Sequence, residues 1–325
     1  MRNTRGESVF DGKRSAWCHS GRDSSVQTKF SNEIMKYYSG HSDKIFALAW
    51  SPHGDLIASG GRDRTVQVWE PSTGRCLLTF AGHSDCLLSV AWSPDGQYIA
   101  SGCTAGIIHV WHADSGKILF TYSGHVRFIR SLCWSPDGHY IASGGEYGDS
   151  TVQVWEAMTG KLLFTHHAQY RIFAAPWSPA AAHIASGSFD GTVQVWDVFN
   201  GDNLIIYQAH AGPIYAVAWS PDGTAIVSAG QDATAHIWSA QTGNTIHIYR
   251  GHTQAIKAVA WSPDGALVAS GGDDATVQIW SVFAEDPIKV YTGHTCWVRT
   301  VAWAPDGRTL ASASDEIVHV WRVAK

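Results

Sequence analysis

The chain has 325 residues, 45% of them hydrophobic, with 23 basic against 28 acidic side chains. That length can bury a large core, and the mildly acidic balance argues against a nucleic acid or an anionic membrane as a partner recognised through overall charge. No apolar run reaches the roughly 18 residues of a spanning helix, and the opening "MRNTRGESVF" lacks the apolar stretch of a signal peptide, so the expected location is cytoplasmic.

Residues 1–32 are rich in Arg, Ser and Gly, carry six basic and three acidic side chains, and show no sustained periodicity. They are expected to form a flexible N-terminal tail, with Trp17 as its one candidate anchor for a partner. Residues 33–325 then hold 17 basic against 25 acidic side chains, a net charge of −8. An apolar strand, "EIMKYYSGH" (33–41), opens this part. "KIFALAW" (44–50) follows, then the turn "SPHG", "DLIASGG", the turn "RDR", "TVQVWE" (65–70), the loop "PSTGR" and "CLLTF". Val, Ile, Leu and aromatic residues fill the strands, while Pro, Asp, Ser and Gly fill the joints, so each round holds four short strands.

The round repeats seven times. Trp50, Trp92, Trp134, Trp177, Trp219, Trp261 and Trp303 form one ladder, and Trp69, Trp111, Trp155, Trp196, Trp238, Trp280 and Trp321 a second. Such a period declares an internal repeat, and units that each need a neighbour to cover their faces predict a closed, all-β, seven-bladed propeller of four-stranded antiparallel blades. In "TVQVW", alternation sets Val66 and Val68 on one face and Thr65, Gln67 and Trp69 on the other. The last round lacks an outer strand after Trp321, so residues 33–39 are expected to pair onto the seventh blade and close the ring.

Gly-His dipeptides at 40–41, 82–83, 124–125, 251–252 and 293–294, with "WSPDG" between them and a Trp closing each round, resemble the WD40 repeat over residues 33–325. The resemblance implies a buried His-Ser-Asp-Trp tetrad in each blade. It falls on His41, Ser59, Asp63 and Trp69 in the first round and on His125, Ser143, Asp149 and Trp155 in the third. In the last three rounds it falls on His210, Ser228, Asp232 and Trp238, on His252, Ser270, Asp274 and Trp280, and on His294, Ser312, Asp315 and Trp321. Ala105 replaces the second aspartate, and "SPAAA" replaces the fourth turn. His167 is the expected fourth-round member, and blades two and four are expected to be the least rigid.

Ser, His and Asp also invite a hydrolase reading, but a constellation repeated in most rounds with a tryptophan attached reads as structure, not as one strained nucleophile. Six cysteines without a Cys-x-x-Cys pair suit free thiols in a reducing compartment, and no His-x-x-x-His spacing suggests a metal, so no cofactor is expected. Small residues one and three places before the first-ladder Trp suit crowded inner strands.

Function is therefore sought where the repeats disagree. The resemblance implies that the loop after each histidine and the residue before each tetrad aspartate reach the top face, where a peptide or protein would bind. Those positions are Lys44, Arg62, Phe128, Tyr147, Tyr170, Arg171, Phe189, Gln231, Asp273 and Trp297. Phe128, Tyr147, Arg171 and Phe189 fall in adjacent rounds and are expected to form one patch. Aromatic residues and arginine anchor interfaces because they bury much area at little rotamer cost. The expectation is a monomeric, non-enzymatic interaction scaffold. The alternatives are a regulatory propeller with its effector on a separate polypeptide and, less favoured, an enzyme with its site at the channel mouth.

Overall fold

The computed structural model of the protein describes residues 34–146, 148–284 and 286–323. The expected tail over 1–32 and Tyr147 lie outside these. The described residues form seven four-stranded antiparallel sheets arranged as blades, each with strands a to d from the inside outwards. Blade one has Ile45–Trp50, Ile57–Gly61, Val66–Trp69 and Cys76–Phe80, and its pairs run in sequence order. In the closing blade, Val298–Trp303, Thr309–Ser314 and Ile317–Arg322 are completed by Ile34–Tyr38, which lies antiparallel to Ile317–Arg322. The two ends of the propeller thus share one sheet, and no ladder is left open at the seam. No helix among the described residues is long and apolar enough to cross a membrane.

The core lies between blades. Val66 and Val68 of blade one pack with Leu87, Val90, Ile99 and Trp111 of blade two. Val152 and Val154 do the same with Ile172, Ile184 and Trp196. Each such side chain stabilises the ring by about 1.5–3 kcal/mol when fully buried, so the repeated "TVQVW" is interblade filling.

Both tryptophan ladders work across these seams. Second-ladder indoles are fully buried and stack on a ring from strand d of the preceding blade. Tyr38 lies 4.2 Å from Trp69 at an interplanar angle of 2°, and Phe80, Tyr122, Tyr207, Tyr249 and Tyr291 repeat the stack. A Cβ on Gly40, Gly82, Gly124, Gly251 or Gly293 would overlap that same ring, so glycine suits the place before the histidine in these five blades, whereas blade five carries Ala209 there. First-ladder indoles staple inner strands together. Trp50 Nε1 donates to Ala302 O at 3.0 Å, and Trp92, Trp134, Trp219, Trp261 and Trp303 donate likewise to the blade before. Trp177 Nε1 is buried without a hydrogen-bond partner among the described residues.

The tetrad is built in blade one as expected. Trp69 Nε1 donates to Ser59 Oγ (3.1 Å), Ser59 Oγ donates to His41 Nε2 (2.8 Å), and His41 Nδ1 donates to Asp63 Oδ2 (2.7 Å). Blades three, five and six repeat it. In blade two His83 and Trp111 hold Ser101, but His83 Nδ1 is buried with no partner among the described residues, because Ala105 supplies no carboxylate.

Two tetrad assignments are corrected. His167 is an exposed residue at the end of strand d in blade three, opposite Thr151. His166, not a tyrosine, stacks on Trp196 at 5.0 Å, and the Trp196 indole N–H has no acceptor among the described residues. In blade seven His294 and Trp321 hold Ser312, but Asp315 is not the histidine's partner. There the hairpin pairs as far as Ser314 and Ile317, so Asp315 falls in a two-residue turn at φ 48° with its carboxylate 3.6 Å from Lys44 Nζ. This hairpin is one residue short, nine residues from Ser312 to Trp321 against ten from Ser270 to Trp280, so its turn carries no carboxylate back to the histidine.

Candidate functional site at the channel mouth

All seven inner strands carry a bulge at the same place. The register shifts between Ile45 and Ala47, Leu87 and Ser89, Ile129 and Ser131, Ile172 and Ala174, Ile214 and Ala216, Ile256 and Ala258, and Val298 and Thr300. The extra residue of a bulge is unpaired and its side chain is re-aimed, which is how sheets direct groups at a site. Here those residues are Phe46, Leu88, Arg130, Phe173, Tyr215, Lys257 and Arg299, and they line one cavity of about 230 Å³ in the channel.

The ring is chemically ordered. Arg130 Nε lies 2.7 Å from Glu146 Oε2, whose carboxylate is buried. Lys257 Nζ lies 3.3 Å from Asp273 Oδ2 and 3.7 Å from the centroid of Tyr215. Tyr215 OH donates to Gln231 Oε1 at 2.6 Å, and Phe173 meets the Tyr215 ring edge-on at 5.2 Å. Arg299 lies 5.3 Å from the Phe46 ring and 5.2 Å from the Trp297 ring. Burial lowers the Lys257 pKa against the pull of Asp273, and burial raises the Asp273 carboxyl against the pull of Lys257. Burial, with the Arg130 charge nearby, lowers the Arg299 pKa.

The positions expected from sequence are placed unequally around this ring. Gln231, Asp273 and Trp297 each touch a ring member as described above. Arg171 lies 5.2 Å above Phe189, whose ring is 6.4 Å from Phe173, so blade four supplies two members of the expected patch. Phe128 stands at φ 47°; its N–H donates to Thr104 O and its carbonyl accepts from Glu146 N. Tyr170 is exposed on the loop before Arg171. Lys44 is held towards Asp315, and Arg62 Nε lies 3.7 Å from Asp43 Oδ2 on the exposed loop.

Sequence reasoning missed the ring itself. It followed positions one and three before the first-ladder Trp, where small residues stand, and passed over the fourth. Strict alternation cannot show which way a bulged residue points, since the bulge breaks the period of two. The available signal was that this position alone mixes cations with aromatics in seven otherwise similar strands.

The tetrads are not a second site. Ser59, Ser143, Ser228 and Ser270 are fully buried, and each hydroxyl is engaged by a Trp and a His. His210, Asp232 and His236 bring metal-capable atoms within 4.8 Å of one another, yet those atoms bond to each other, to Ser228 and to Thr234.

Fold and mouth define a closed propeller with a polar, aromatic-lined channel mouth. The chain belongs to the WD40 family: the WD domain, G-beta repeat, is matched over residues 32–70, 74–112, 116–156, 160–197, 201–239, 243–281 and 285–322. Among curated relatives, the ribosome biogenesis protein BOP1 homolog of Drosophila virilis is 45% identical over 42 residues, 13% of this chain and 5% of the relative. That of Caenorhabditis elegans is 42% identical over 52 residues, 16% of this chain and 8% of the relative. The chain thus spans under a tenth of the length of these relatives, and the likeness amounts to about one repeat.

Proposed function

We propose that the propeller is a non-enzymatic interaction scaffold that holds a segment of another protein over the channel mouth. WD40 propellers generally bind proteins or peptides. The observation that carries the reading is the concentration at this mouth of Tyr170, Phe189 and Trp297, each more than 40% exposed, around half-buried cations. Exposed aromatics beside arginine on a rigid frame are the composition of interface anchors.

No nucleic-acid or membrane partner belongs to this reading, because the propeller carries net negative charge and three mouth cations cannot track a phosphate backbone. The scaffold acts as a monomer in the cytoplasm, and the five described cysteines, all free thiols, suit that compartment.

The test is affinity capture of cellular partners by wild type and by Phe189→Ala, Trp297→Ala and Tyr170→Ala, with Phe283→Ala as the control. Phe283 is 82% exposed in the turn after strand c of blade six, on the opposite face. The expected result is at least one partner lost by the mouth variants and kept by the control. Equal recovery from all four overturns the reading.

A further inference from the structure

Two of the three mouth cations are neutralised within the ring, Arg130 by Glu146 at 2.7 Å and Lys257 by Asp273 at 3.3 Å. Arg299 has no carboxylate within ion-pair distance among the described residues. Its guanidinium rests instead between the Phe46 and Trp297 rings, with Asp273 and Asp315 acting on it only from longer range. A half-buried cation held by two aromatic faces keeps its hydrogen-bond fork available, and the flanking rings exclude the water that would compete for it. The cavity beside it, about 230 Å³, has room for a side-chain-sized group.

We propose that Arg299 is the specificity centre of the mouth and takes one carboxylate of the bound protein, either an Asp or Glu side chain or the C-terminal carboxylate. The inference rests on the scaffold reading above and names the chemistry of its ligand. A single negative charge completes the ring, giving three cations against three anions. A phosphate dianion is disfavoured, since Glu146 and Asp273 stand in the same mouth and repel a second charge. A guanidinium binds a carboxylate through two parallel N–H donors, and partial desolvation strengthens both bonds.

The test uses the full-length protein and three immobilised mixed-sequence peptide pools. The first contains Asp and Glu and has amidated C-termini, the second lacks acids but has free C-termini, and the third lacks both. Wild type is expected to bind the first or the second at least about tenfold better than the third, and the favoured pool identifies which carboxylate is read. Arg299→Gln is expected to abolish that preference with its melting temperature unchanged, and Arg299→Lys to restore part of it. An Arg299→Gln variant that keeps the preference overturns the assignment. Equal binding of all three pools overturns the carboxylate site and leaves the scaffold standing. Binding of none overturns both.

Discussion

His83 shows what a missing carboxylate does to a buried imidazole. Its Nδ1 has no partner among the described residues, and burial together with the neighbouring His109 lowers its pKa to about 3. Ala105→Asp is expected to supply the acceptor and stabilise the protein by about 1–2 kcal/mol, read as a higher melting temperature. Ala181 is the complementary case. It stands at φ 57° in the fourth turn, where the intact "WSPDG" turns carry glycine, for example Gly96 at φ 71°. Ala181→Gly is expected to relieve about 1 kcal/mol of backbone strain, and an unchanged or lower melting temperature would contradict this.

Histidines set the acid limit. Burial lowers His236 and His319 to about 4. In the unfolded protein these groups protonate near 6.5, whereas in the folded protein they stay neutral until about 4, so unfolding takes up protons between those values. Their contribution is complete above about pH 6.5 and is lost as pH falls towards 4. Gln67, Gln153 and Gln278 accept the strand-d tyrosine hydroxyl in other blades, where His236 and His319 meet Tyr207 and Tyr291. The double variant His236→Gln, His319→Gln is therefore expected to keep the fold and flatten the fall in melting temperature between pH 6.5 and 4. A slope identical to wild type would remove these histidines from the account.

At the scale of the strand, closure by Ile34–Tyr38 does two jobs. It pairs with the last strand of blade seven, and Tyr38 carries the stack on Trp69 and the hydrogen bond to Gln67 in blade one. Deleting residues 1–39 is expected to lower the melting temperature by more than about 10 °C, whereas deleting residues 1–30 leaves the strand and changes it little. Equal melting of both truncations would contradict the closure. This seam was legible in the sequence, because a round with no outer strand at one end and a surplus strand at the other can close in only one direct way. Asp315 and His167 were not. Repeat spacing fixes a residue's place in the alignment, but a hairpin one residue short and a strand ending on two histidines change where each functional group arrives.

For the whole ring, the same distinction separates frame from site. The frame is written seven times, so each tryptophan, valine and Gly-His was readable from its copies. The mouth is written once per blade at a bulge, in residues chosen to differ, so its members could be named only once the backbone was seen to turn them into the channel. Gln231, Asp273 and Trp297 were found from loop position, while Arg130, Lys257 and Arg299 needed the fold. The result is an acidic propeller with cations gathered at one mouth, which suits a localised protein contact more than a charge-driven one. The most direct measurement is hydrogen exchange of the propeller with and without a captured partner. Protection is expected in the inner-strand bulges and in the loops around residues 171, 189, 231, 273 and 297. Protection confined to the opposite-face turns at 71–75, 157–161 and 198–202 would contradict the account.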